Sequence, residues 1–168
     1  MGKNKRYLYY VEGGCERKLI NELKVNNQMV IPGKVEILNV KQELITLMRI
    51  RSISNNTIVI LVVDTDVGDA KILTENIKTL KRYSNIVEVW CVLQVKNLED
   101  ELLRSTDVKI IKNLIGCASN KEFKPCFIKE KNLMRKLEEH HFEIEKMWMQ
   151  PGDKKYKSIA NDGWRIKK

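Results

Sequence analysis

Two short acidic motifs in this chain have the residue types and the placing for metal chemistry: Tyr-Val-Glu-Gly-Gly at positions 10–14 and Val-Val-Asp-Thr-Asp at positions 62–66. Each follows an apolar run, so each carboxylate falls at the carboxyl end of an expected strand. In a parallel α/β sheet that end is where ligands collect, and acids delivered there by separate strands converge. Glu12 precedes two glycines, which suit a tight strand-to-helix turn. Asp64 and Asp66 have one residue between them, so on extended backbone they point the same way. Mg²⁺ and Mn²⁺ prefer carboxylate and water oxygens, and an ion held between such acids relieves their mutual repulsion. Glu12, Asp64 and Asp66 are therefore expected to form one site.

The elements that must position them alternate. Residues 6–11 read as strand, 16–25 as helix with Leu19, Ile20 and Leu23 on one face, 34–40 as strand and 42–53 as helix. The β-branched run 57–63 has the pattern of a strand buried on both faces; 70–83 follows as helix and 86–93 as a fourth strand. Strands separated by helices of this size imply right-handed βαβ crossovers and a parallel sheet with helices on both faces. Beyond Lys96 the strand signal ends, and 98–104, 108–115 and 127–140 read as helices, with a basic, weakly patterned segment over 153–168 expected as a loosely packed tail or a final short helix. The expected plan is an α/β core over residues 1–95 and a basic helical extension over 96–168 packed on it.

Further candidates follow the fourth strand, in Gln-Val-Lys-Asn-Leu-Glu-Asp-Glu at 94–101. There Glu99 or Asp100 could add ligands to the same metals, and Lys96 could meet a phosphate and the charge that builds on it. The same stretch also reads as a helix amino terminus capped by Asn97, with acids favoured by the helix dipole. Glu16, just after the first motif, is a candidate ligand and equally an ordinary acid in a helix's first turn. Asp69 suits a cap for the helix from Ala70 better than a ligand.

Composition sets the outer limits. A chain of 168 residues holds one domain with a sizeable core and a small appendage. No stretch approaches the roughly 18 consecutive apolar residues of a membrane span. The basic amino end lacks a signal-type apolar core, so the expected location is cytoplasmic, with no membrane partner. The four cysteines are scattered without metal-ligand spacing and read as reduced thiols. Net charge is +9, and residues 109–168 hold 15 Lys+Arg against 8 Asp+Glu, so the surplus belongs to the last third. A basic segment beside an acidic metal site suits a protein that grips a phosphate backbone, although a solvated helical face gives the same composition. The expected phosphate contacts are Lys121, Lys124, Lys129, Lys131, Lys154, Lys155, Lys157 and Arg165, with Tyr156 and Trp164 as bases' stacking partners.

The order strand, Glu-Gly turn, helix, then a later strand ending in Asp-x-Asp resembles the Toprim domain. The matching residues are Tyr9-Tyr10-Val11-Glu12-Gly13-Gly14-Cys15-Glu16 and Leu61-Val62-Val63-Asp64-Thr65-Asp66, and the likeness spans about residues 6–93. The Val-Glu-Gly-x-x-Glu form is most similar to the nuclease branches, the OLD and RloB-like defence proteins. The resemblance implies a Toprim-like (Rossmann-like) α/β fold with a four-stranded parallel sheet and, here, a C-terminal helical extension. It also implies Glu12 as general acid/base or metal ligand, and Asp64 and Asp66 as ligands of Mg²⁺ (or Mn²⁺). OLD-type nucleases place further acids and a lysine after the core motifs, which matches Glu99 or Asp100 and Lys96. There is no room for a topoisomerase's tyrosine domain or a primase's template-binding apparatus.

Three function classes stay open at this point. One is a metal-dependent nuclease or related phosphoryl-transfer enzyme acting on DNA or RNA, in a setting such as phage defence. Another is a non-catalytic Toprim-like module that binds nucleic acid or a partner. The third is another Asp-x-Asp enzyme, such as a phosphatase with Asp64 as nucleophile, which would have no need of Glu12. OLD-type enzymes often work with an ATPase, and this chain has no phosphate-binding Gly-x-x-x-x-Gly-Lys-Ser/Thr loop, so any ATPase would be a separate subunit.

Overall fold

The computed structural model describes residues 4–25 and 28–168; positions 1–3, 26 and 27 of the expected core lie outside the described residues. Four strands, β1 (Arg6–Val11), β2 (Lys34–Ile37), β3 (Thr57–Asp64) and β4 (Ile86–Gln94), form one all-parallel sheet in the order β2-β1-β3-β4. The helices are α1 (Gly14–Val25), α2 (Leu47–Ser52), α3 (Lys71–Leu80), α4 (Leu98–Ser105), α5 (Lys112–Ile115), α6 (Phe123–Lys129) and α7 (Leu133–Glu139). Every residue of β3 is buried except the last, Asp64, as its unbroken aliphatic run demands of a central strand covered on both sides.

Side-chain alternation along the strands assigns the two faces. Tyr9, Val11, Ile58, Ile60, Val62 and Val92 pack with α1 and with α4 to α7, so the C-terminal helices complete the layer that α1 begins. Leu8, Tyr10, Val59, Leu61, Val63 and Leu93 face the other way, onto α2, α3 and Tyr156. No helix among the described residues is long and apolar enough to cross a membrane.

Three segments differ from the sequence expectation, each for a local reason. The strand expected over 34–40 stops at Ile37 and the helix expected from 42 starts at Leu47, after Thr46 caps it by accepting the Arg49 N–H. Between them the buried Asn76 of α3 takes over the backbone: its amide donates to the carbonyls of Val40 and Glu43 and accepts the Ile45 N–H. Those groups need no helix or ladder once a side chain satisfies them. The helix expected over 127–140 is two helices. Pro125 occupies the third position of α6, where a missing N–H costs no helical bond, so α6 starts before it. Glu130 then adopts extended backbone, and its carboxylate accepts the Asn132 N–H between α6 and α7.

The tail over 153–168 is not loose; of the two expectations it meets the second, forming short 3-10 turns at Lys154–Tyr156 and Gly163–Ile166. Trp148, Tyr156 and Ile166 are buried, and Lys167 bridges antiparallel to Val30. Along the free edge of β4, Asp162 donates its N–H to the Cys91 carbonyl and accepts the Cys91 N–H on its carboxylate; the Asn161 amide does the same for Leu93. Two residues thus stand in for a fifth strand and close an edge that would otherwise expose unpaired backbone. Gly163 follows because a Cβ there would lie 2.3 Å from the Trp148 carbonyl oxygen.

Candidate active site

All four strands deliver a polar side chain to their carboxyl ends. β1 ends at Val11 and releases Glu12; β3 ends in Asp64; β4 ends in Gln94, which is in register with Asp64; and Lys41 lies just beyond β2. The Gly13-Gly14 turn that places Glu12 has no left-handed residue. What the glycines supply is room: a Cβ on Gly13 would sit 3.2 Å from the Glu16 carboxylate, and one on Gly14 would sit 2.9 Å from the end of Ile128.

Hydrogen bonds tie these groups into one network. Glu12 Oε1 accepts the Asp64 N–H at 3.1 Å, and Asp64 Oδ1 accepts from Gln94 Nε2 at 2.6 Å. The same Gln94 amide donates to Glu16 Oε1 at 3.4 Å, while its Oε1 accepts from the Trp148 indole at 3.3 Å. Gln94 is only 1% exposed, so its orientation is held from both sides. Lys41, 7% exposed, donates its ammonium to the Asp64 carbonyl at 2.6 Å, and the Tyr156 hydroxyl reaches the same oxygen at 3.5 Å.

Electrostatics mark the cluster as short of positive charge. Burial, followed by the neighbouring Glu12 carboxylate and then Glu16 and Asp66, pushes Asp64 from 3.8 up to about 8, against the Gln94 hydrogen bond. Glu12 is also raised, by burial first, with Lys41 and the Asp64 N–H opposing. Burial disfavours the Lys124 ammonium, but the carboxylates of Glu99, Glu16 and Asp64 outweigh it and leave its pKa above the ordinary value.

Of the residues expected in the site, Glu12, Glu16 and Asp64 come together at its centre. Asp66 stands exposed at the rim, where its carboxylate accepts from the Asn97 amide at 3.4 Å. Glu99 meets Lys124 at 3.6 Å on the α6 side, and Asn97 caps α4 by accepting the Asp100 N–H. The exposed Lys96 contributes a carbonyl that accepts the Thr65 N–H at 2.7 Å, pinning the Asp64–Asp66 loop to the end of β4. Asp69 accepts the Lys71 N–H at 3.0 Å from one residue ahead of Ala70, the N-cap of α3, so it ties down the helix start without occupying the cap position.

The basic residues divide into two groups. Lys121, Lys124, Lys129 and Lys131 are exposed on or beside α6, and Lys155 reaches the Gly68 carbonyl at 3.4 Å with Lys154 and Lys157 exposed beside it. The acidic cluster therefore has lysines on both flanks. Arg165 is committed elsewhere: it pairs with Glu88 at 2.6 Å and lies 4.2 Å over the Trp90 ring. Tyr156 is buried and cannot stack on a base, because the packing of the tail turns it into the core; Trp164, 64% exposed, is accessible.

Sequence reasoning gave no role to Gln94, Lys41 or Glu101, although Gln94 and Glu101 bound the 94–101 stretch that it singled out. Gln94 and Lys41 are polar residues at strands' carboxyl ends, as Glu12 and Asp64 are. Nothing in the sequence marked the part that Glu101 plays. It is fully buried, accepts the N–H groups of Val95 and Trp148, and pairs with Arg104, so it joins the end of β4 to α4 and the tail.

The donor set fits a divalent cation in its chemistry: carboxylate oxygens from Glu12, Glu16, Asp64 and Asp66, crowded enough to raise Asp64. As they stand, no three acidic, histidine or cysteine side chains among the described residues are arranged to enclose an ion. Gln94 Nε2 donates to both Asp64 and Glu16, so an entering cation would displace those hydrogen bonds. Comparison with protein-family models, with curated proteins and with solved structures gives no match.

Proposed function

We propose that this chain is a Toprim-like, metal-dependent nuclease that cleaves nucleic-acid phosphodiesters. The observation that carries the reading is the meeting of Glu12 and Asp64, from the ends of adjacent central strands, with Glu16 in a half-buried cluster flanked by lysines. Glu12, Glu16, Asp64 and Asp66 would hold Mg²⁺ or Mn²⁺. The ion, when bound, supplies positive charge against the phosphodiester and its leaving oxygen. Glu12 uses Oε1 to accept the Asp64 N–H, which leaves Oε2 to take a proton from the attacking water, a role its raised pKa suits. Lys41 opposes the accumulated negative charge from below, and Gln94 fixes the Asp64 rotamer. Lys124 is placed to pair with a phosphate at the α6 flank, and Lys155 at the other. The setting this implies is cytoplasmic, with DNA or RNA as partner and any ATPase in a separate chain.

The test is cleavage of single- and double-stranded DNA and RNA with Mg²⁺, Mn²⁺ or chelator, by the parent protein and by Asp64→Asn and Glu12→Gln. Metal-dependent cleavage lost in both variants is the expected result; cleavage undiminished in either removes the site assignment. A second reading, a Toprim-like module that binds nucleic acid without cutting it, is favoured by the absence of a ready ligand triad among the described residues. It predicts binding that the two variants leave intact and no cleavage under any condition.

A further inference from the structure

The four cysteines divide cleanly into two kinds. Cys15 and Cys91 are buried, and burial pushes both thiols up to about 12. Cys15 also donates to the Lys124 carbonyl at 3.6 Å. Both lack the exposure that makes a thiol reactive. Cys117 and Cys126 are half-buried and line the same open surface hollow of about 480 Å³, with Lys129 and Lys131 on its rim. Cys117 follows the left-handed Gly116 that caps α5, and its N–H returns to the Lys112 carbonyl at 2.9 Å. Cys126 is the fourth residue of α6, which packs against α5. Both thiols thus open onto one hollow where α5 meets α6. After burial, the Cys126 thiol is the largest influence holding Cys117 up at about 11, ahead of Glu122 and Glu130.

We propose that Cys117 and Cys126 form a reversible oxidation site, a dithiol that a hydroperoxide converts to an intramolecular disulfide. One of the two sulfurs, as thiolate, attacks the peroxide O–O bond, giving its sulfenic acid and an alkoxide that leaves as the alcohol with one proton. The other sulfur then displaces the hydroxyl as water, its own proton leaving with it. Two electrons pass from the two thiols to the peroxide, which is reduced, and one S–S bond forms. The bridge ties α5 to α6, the helix that presents Lys124 to Glu99 and Ile128 to Gly14. The inference does not depend on the nuclease reading.

The experiment treats the full-length native protein with a few equivalents of hydrogen peroxide, then counts free thiols and maps disulfides by peptide mass spectrometry without reduction. Two of the four thiols should disappear, a single linked peptide pair should carry Cys117 and Cys126, and dithiothreitol should restore both. Cys117→Ser and Cys126→Ser should each abolish the intramolecular bridge, and the variant that retains the attacking sulfur should hold a sulfenic acid that a dimedone probe captures. Both positions face a surface hollow, so both serine variants should fold; circular dichroism checks this. Retention of all four thiols, a bridge to Cys15 or Cys91, or only disulfides between molecules would overturn the proposal.

Discussion

Replacing Asp64 with asparagine should make the metal-free protein more stable, and increasingly so as pH rises. In the fold this carboxyl titrates at about 8 against an ordinary 3.8, because it is buried beside Glu12. A folded-state value above the unfolded one means that the stability tied to this proton is complete below about pH 3.8 and is lost as pH rises through about 8. Each pH unit in that window costs about 1.4 kcal/mol, so three units between pH 5 and pH 8 amount to roughly 4 kcal/mol. Residual solvent and relaxation of the carboxyl cluster reduce this, and a gain on the order of 2 kcal/mol in the asparagine variant between those pH values is the working figure. Asparagine keeps an oxygen to accept from Gln94 Nε2, so the hydrogen bond need not be lost. Urea unfolding in chelator at pH 5, 6.5 and 8, followed through the buried Trp148, measures the difference. Added Mg²⁺ should stabilise the parent most at pH 8 and leave the variant nearly unmoved. An asparagine variant whose advantage stays flat across that range would refute the claim that Asp64 is a strained, proton-holding acid.

Two other outcomes follow from the same structure. Gly163→Ala forces a Cβ to within 2.3 Å of the Trp148 carbonyl oxygen, backbone that cannot swing aside, and should cost about 1–3 kcal/mol in denaturant unfolding. Replacing Lys121, Lys124, Lys129 and Lys131 together with glutamine should weaken nucleic-acid binding and flatten its dependence on salt; a loss of about three in the log–log slope corresponds to four lost phosphate contacts.

The sheet was legible because its signals are strong and local. The run 57–63 leaves no alternative to a doubly covered strand, and β1 and β4 follow the same logic to within a residue of their observed ends. The acids at the ends of β1 and β3 could be found by the strand-end rule alone, and that rule applied consistently would have added Gln94 and Lys41. Other features depend on contacts between distant residues. Asn76 replaces a regular element near Val40, and Glu101 secures Trp148 at a separation of 47 residues. The tail looked loose because its anchoring is polar and aperiodic: Asn161 and Asp162 bond to backbone 68 and 71 residues away, which no periodicity can reveal.

That last arrangement bears on how the protein is made. The edge of β4 is closed by residues that leave the ribosome 71 residues after Cys91, a delay of roughly 4–14 s at about 5–20 residues per second. Throughout that interval the nascent sheet carries an unpaired border, and the places of Trp148, Tyr156 and Ile166 in the interior are unfilled. The edge of β4 therefore closes only once Asn161 and Asp162 are out of the ribosome. A ribosome stalled between these positions presents an adhesive strand rather than a finished domain, the kind of nascent chain that trigger-type chaperones exist to shield.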